Sequence, residues 1–237
     1  MTIVTPASAD TYGRYNTYRF IHKGLRLAQC QMLSRLGQAD FEGEAGAGLL
    51  AELRTLLMLG ASHIGHEEAH LHAPLNAVDP SATEVLDAQH AAHRESFVRL
   101  EALIRQVEIA TSEQKAEAGY RLYMTYALFV AHDFEHMNEE ETTNNERLWR
   151  FFTDEQIHAM ERAIVGSMPP EKAMATMRIM LPALTREERA RFMGGARQGM
   201  PAEAFAAVMD HVAPALLAAD DYADLRARLG IALSAAA

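Results

Sequence analysis

The segment HIGHEEAHLHAPL, residues 63–75, carries four histidines and two glutamates within its first ten residues. Imidazole nitrogens and carboxylate oxygens are the donors that hold divalent first-row metals. On a helix, residues three or four apart share a face, so His63 and Glu67 can present to one ion. The bland alternative is a solvated, histidine-rich stripe. The other histidines bear on the choice. The chain has eleven, and nine lie between residues 22 and 136. His90 and His93 are three apart, His136 and Glu140 are four apart with His132 one turn earlier, and His22 sits inside YRFIHKGL.

The elements that would position these groups follow from apolar spacing. A first helix runs from about Tyr15 to Gln38 with Phe20, Leu25, Met32 and Leu36 inward, and FEGEAGAG (41–48) reads as a glycine-rich connection. A second helix, with a stripe of Leu49, Leu53, Leu56 and Gly60, runs from Leu49 to about Pro74 and ends before a turn at NAVDPS. The box Ser81-x-x-Glu84 opens a third helix with Leu86, His90, His93, Phe97, Leu100 and Ile104 inward; Thr111-x-x-Gln114 opens a fourth, reaching about Trp149. Four long helices with short connections predict an all-α fold, with an antiparallel up-down four-helix bundle over residues 1–150. Residues 151–237 read as a second, smaller unit of short helices, broken by Pro169-Pro170, Pro182, Gly194-Gly195, Pro201 and Pro214. Thr153-x-x-Gln156 and Thr185-x-x-Glu188 start two of them.

On every bundle helix a ligand-type residue thus falls where the pattern requires an inward side chain. Buried imidazoles and carboxylates need partners, and a pair of metal ions would satisfy them together. The donor set suits iron, with manganese or zinc as substitutes, and is not soft enough to prefer copper(I). The net charge of −10 argues against nucleic-acid and anionic-membrane partners. Cys30 is the only cysteine, which excludes a disulfide framework and a thiolate cage. MTIVTPASAD lacks the features of a signal peptide, and LYMTYALFVA (122–131) is too short to span a bilayer, so a cytoplasmic address is expected. P-loop, dinucleotide-binding and nucleophile-elbow motifs are absent.

His22 in IHKGLR, HIGHEE (63–68), DAQHAAH (87–93) and HMNEEE (136–141) together resemble the hemerythrin-like (HHE cation-binding) domain family, over roughly residues 15–150. The resemblance implies a metal-binding four-helix bundle around a non-haem di-iron centre capable of oxygen binding. It implies that Glu67 and Glu140 bridge the ions, that His22 and His63 serve one iron, and that His136 with His90 or His93 serves the other. The family's third helix often has its histidines four apart rather than three. Glu139, Glu140 and Glu141 are consecutive; Glu140 fits the four-residue spacing and Glu141 the oxygen carriers' variant.

Among the remaining candidates, His70 is nearly in phase with His63 and Glu67, and either it or His132 could be a ligand or a supporting group. His66 and His72 are expected to flank the site or face solvent, Glu68 to lie off the inward face, and Tyr123 and Tyr126 to pack in the core. Glu67-x-x-His70, Asp87-x-x-His90 and Asp133-x-x-His136 also match the spacing of ferritin-like di-iron carboxylate proteins. That arrangement needs an inward carboxylate on the first helix, and residues 15–38 contain no Asp or Glu.

The expected function is binding of O2 or a related small ligand (NO, peroxide) as carrier, scavenger or sensor, because imidazole-rich ligation pushes less electron density than carboxylate or thiolate and favours reversible binding. Phe129, Leu56 and Phe97 are candidate pocket walls. A di-iron oxidase or peroxidase acting on a small organic substrate is the alternative. A further one is an interaction module with structural metal, whose surface would come from the Met-rich tail. Met174, Met177, Met180, Met193 and Met200 are instead expected as core filler. The sequence is compatible with a homo-oligomer.

Overall fold

A computed structural model describes residues 13–231; MTIVTPASAD, read above for a leader, lies outside them. The described residues are all-helical, with nine continuous helices and no strand among them. Helix α1 is Arg19–Gln38. Its expected start near Tyr15 is displaced because Asn16 Oδ1 accepts from the backbone N–H groups of Tyr18 and Arg19, at 3.0 and 3.1 Å, a side-chain cap that holds the chain out of the helix.

Helix α2 begins as Gly43–Glu67, passes through a π-helical turn at Glu68–His72 and ends as Ala73–Val78. The glycine-rich connection expected over 41–48 is therefore mostly helix. The reason is Phe41, a buried residue with φ of +60°. Its backbone lies 2.4 Å from where a Cβ on Gly46 would sit, and its ring 2.3 Å from where a Cβ on Gly119 would sit. Gly46 of this segment and Gly119, far along the chain, are thus notches for one aromatic anchor.

Helix α3 is Glu84–Ile109. The Ser81 box does not form. Thr83 precedes the helix instead, its hydroxyl donating to Asp87 Oδ2 at 2.8 Å and accepting from Asn76 Nδ2 at 2.7 Å. Helix α4 runs as Ser112–Glu139, a π-helical turn Glu140–Asn144, and Asn145–Phe151. The remaining helices are α5 (Asp154–Ser167), α6 (Pro170–Ala183), α7 (Arg186–Gly199), α8 (Ala202–Ala207, a π-helical turn Val208–Val212, Ala213–Leu216) and α9 (Ala219–Arg228). The other three boxes form: the side chains of Gln114, Gln156 and Glu188 accept from the backbone N–H of Thr111, Thr153 and Thr185 at 3.4, 2.8 and 3.0 Å.

The described residues divide into two compact units. One holds the residues up to Arg19 together with Ala28–Pro169; the other holds Phe20–Leu27 together with the residues from Pro170 onward. In the first, α3 and α4 are joined by two residues and pack against each other along their length, with α2 against α3. Leu53, Leu86, Leu100, Ile104, Leu122 and Tyr126 form its solvent-free interior. Gln29 of α1 donates to Asp133 of α4 at 2.6 Å, Arg35 pairs with Glu52, and the Arg54 guanidinium spans Glu101 and Glu108. A separate apolar cluster of Tyr18, Leu71, Leu75, Ala82, Leu148 and Ile157 includes one residue of α5.

In the second unit, Met177, Leu181, Met193, Phe205, Met209 and Leu225 share one core, with Met174 and Met200 packed on its edge. Met180 is also buried. The methionines fill space, as expected from a flexible thioether. Arg189 is buried, donating to the carbonyls of Leu181 and Leu184 at the end of α6 at 3.1 and 2.9 Å. No helix among the described residues is long and apolar enough to cross a membrane.

Candidate metal centre

Three helices of the first unit bring four acidic and imidazole side chains to one point. Glu67 is the last residue before the π-helical turn of α2, His90 lies on α3, and His136 and Glu140 lie one turn apart on α4. Each offers one donor atom, and these atoms lie within 4.8 Å of one another. All four are at most 3% exposed. His90 Nε2 is 3.6 Å from Glu67 Oε2 and 3.8 Å from Glu140 Oε1, while His136 Nε2 is 3.4 Å from Glu140 Oε2. His63 joins from α2, with Nε2 at 2.9 Å from Glu67 Oε1; His63, Glu67 and Glu140 also offer donor atoms within 4.8 Å of one another. His22 is completely buried on α1, in the stretch that groups with the second unit.

The neighbouring hydrogen bonds fix which nitrogens face inward. His136 Nδ1 is 2.8 Å from Gln89 Oε1, an oxygen that only accepts, so Nδ1 carries the proton. His90 Nδ1 is 3.2 Å from Glu68 Oε1, and Glu68 is held by Arg94 at 2.6 Å. Both Nε2 atoms are left with lone pairs, and they face each other at 3.1 Å. Two lone pairs at that distance repel, and two buried carboxylates beside them add negative charge. A proton or a metal cation relieves this arrangement. Carboxylate- or amide-oriented imidazoles are the usual support of metal-binding histidines. The donor set fits a divalent first-row ion.

Electrostatics agree with the geometry. Burial disfavours a charged His90, but the nearby carboxylates of Glu140 and Glu67, with Glu68 behind, outweigh it and raise its pKa. His136 is lowered by burial, which the same two glutamates only partly offset. Burial pushes His93 down to about 4 against the pull of Asp133. The Arg94 hydrogen bond keeps Glu68 below the ordinary carboxylate range.

The sequence candidates are placed as follows. Glu140 is fully buried, while Glu139 and Glu141 are half-buried. His93 is buried with its ring edge-on to His136, centroids 4.9 Å apart, but its Nδ1 faces Asp133 at 3.5 Å and it belongs to none of the donor groups among the described residues. Phe129 packs edge-on to His93, and Phe97 onto Phe129; Leu56 is buried on α2. Tyr126 is fully buried and Tyr123 half-buried. His66 and His70 are half-buried, and His132 is exposed.

Of the two expectations for His72, that it flanks the site or that it faces solvent, the second is overturned. His72 is 2% exposed, with Nδ1 at 2.9 Å from Asp87 Oδ1. His72, Asp87 and His90 form another group of neighbouring donors. The cause is the π-helical turn. It inserts one residue into the helical phase, so Leu71 and His72, rather than His70 and Leu71, follow Glu67 inward. The second π-helical turn, immediately after Glu139, does the same to Asn144 and Asn145. Glu68, expected off the inward face, is half-buried and meets His90 Nδ1 from outside the donor group. Gln89 carries no spacing signal and was missed.

Comparison of the chain with protein-family models, with curated proteins and with solved structures gave no match. The class that the fold and site define is an all-helical protein with buried His/Glu groups arranged so that they could hold a metal ion.

Proposed function

We propose that the chain is a hemerythrin-like, non-haem di-iron protein that binds O2 or a related small ligand, NO or peroxide, as carrier, scavenger or sensor. In this reading α1 to α4 form an antiparallel up-down four-helix bundle. His63 and, by its place in the sequence pattern, His22 would hold one iron and His90 and His136 the other, with Glu67 and Glu140 as the carboxylates of the pair. His22 enters through its complete burial on α1 and its place in the sequence pattern. His93 is left as a buried neighbour of His136. Manganese or zinc would satisfy the same donors.

Iron, when bound, supplies reversible electron transfer to a diatomic ligand. The chain's own residues supply everything else. Glu68 and Gln89 hold protons on the Nδ1 atoms, so that the Nε2 lone pairs stay available. Phe97, Phe129 and Leu56 keep water away from the imidazoles, which strengthens every electrostatic interaction there. The preference for imidazole over thiolate ligands favours binding over bond cleavage.

The observation that carries this reading is the 3.1 Å approach of two buried Nε2 atoms whose opposite ring nitrogens are already bound. Ferrous iron added to the metal-free chain without oxygen, followed by air, tests it. Two irons per chain and a new near-ultraviolet and visible absorption on admitting air are expected. A colourless protein that retains less than one iron per chain overturns it.

A further inference from the structure

Of the acid-x-x-His pair Asp87 and His90, the centre proposed above uses only the histidine. Asp87 and His90 lie three apart near the start of α3, so they share a face. The π-helical turn of α2 brings His72 to them. His72, Asp87 and His90 each offer one donor atom, and the three atoms lie within 4.8 Å of one another.

Neighbouring side chains hold this group in place. Asp87 Oδ1 faces His72 Nδ1 at 2.9 Å, and Asp87 Oδ2 accepts from the Thr83 hydroxyl at 2.8 Å. A carboxylate only accepts, so His72 Nδ1 carries its proton and Nε2 keeps a lone pair. That Nε2 is buried and has no hydrogen-bond partner among the described residues, a cost that a cation offsets. Exposure is graded across the group. The Asp87 side chain is 48% exposed, that of His72 3%, and that of His90 not at all. His90 also belongs to the inner group of Glu67, His136 and Glu140. A neutral imidazole has one lone pair, so His90 holds one ion at a time. The outer and inner groups are therefore alternative positions around one shared ligand.

We propose that His72, Asp87 and His90 form the entry position of the metal centre. A divalent first-row ion lodges there from solvent through Asp87, and His90 passes it to the inner group. Imidazole and carboxylate donors suit such an ion. The inference rests on the metal-centre reading above and supplies the route it needs, because Glu67, His90, His136 and Glu140 are at most 3% exposed.

The test follows uptake of ferrous ion by the full metal-free chain without oxygen, with timed samples quenched by a chelator and the retained iron measured. Asp87→Asn keeps an oxygen for His72 but removes the charge. His72→Phe keeps a ring but removes its nitrogens. Both variants are expected to reach the wild-type iron content, with the uptake rate lowered by roughly tenfold, the effect of about 1.4 kcal/mol on a barrier. Glu84→Gln removes an exposed carboxylate three residues before Asp87 that belongs to no donor group among the described residues. It is expected to change the rate by less than about twofold, because a solvated charge is screened. An unchanged rate in either folded variant overturns the proposal and leaves the metal-centre reading intact. Equal slowing by Glu84→Gln also overturns it, since attraction by surface charge would then suffice. A wild-type chain that takes up no iron overturns both.

Discussion

The His72 ring lies parallel to the His90 ring, with centroids 5.0 Å apart and planes 6° from one another. His72 is fixed by Asp87, and Asp87 by the Thr83 hydroxyl. The π-helical turn thus places a buried plate against the imidazole that faces His136. His72→Ala should cost about 2 kcal/mol of stability, as truncations of buried rings do, and should weaken metal retention by loosening His90. His72→Phe, which restores the plate without the nitrogens, should recover most of the stability. Denaturant midpoints of the two variants check this; equal losses would show that the Asp87 hydrogen bond, not the stacking, is what matters.

Glu68 touches no proposed bridging position but holds the outer nitrogen of His90. Glu68→Ala should lower metal affinity by roughly 10- to 100-fold, the range for partners of ligating histidines. Arg94→Ala should lower it less, because Glu68 keeps its contact with His90 when its own partner is lost. Competition against a chelator of known affinity measures both. Equal affinities for Glu68→Ala and wild type would remove Glu68 from the account.

The metal-free protein should be acid-sensitive in a defined direction. Burial lowers His93 from 6.5 to about 4 and lowers His136 as well. Between such a folded value and the ordinary one, the unfolded chain binds protons that the folded chain refuses, so stability falls as the pH falls. His90, whose pKa is raised, contributes the opposite slope: its stabilisation is complete below the ordinary imidazole range and fades as the pH climbs through its folded value. Two lowered groups against one raised predict a net loss on acidification, with a slope of at most about 1.4 kcal/mol per pH unit for each proton. His93→Leu should flatten the profile between pH 6.5 and about 4. Urea midpoints measured across that window in the presence of a chelator check the sign.

Long amphipathic helices were readable because apolar spacing survives any rotation of the whole helix, so Leu86, His90, His93, Leu100 and Ile104 were correctly placed inward from their period alone. The π-helical turns were not readable. One inserted residue leaves composition and caps unchanged but rotates everything after it, which is why His72, expected to flank the site or face solvent, is buried beside His90. The segment from Phe41 to Gly48 misled for a related reason. Its glycines read as flexibility, whereas Gly46, together with Gly119 on α4, makes room for Phe41. The Ser81 box failed because Thr83 lies closer to the helix start and has Asp87 and Asn76 within reach. Gln89 acts through a contact distant in sequence, at 47 residues from its partner His136, and no local pattern announces it.

The central claim is that His90 and His136 turn their Nε2 lone pairs onto a shared ion. Elemental analysis of the iron-reconstituted chain, wild type beside the double variant His90→Ala/His136→Ala, tests it most directly. The account predicts two irons per chain falling to one, with the His63 side retained. Equal iron content in the two proteins, or less than one iron in a folded wild-type chain, would contradict it.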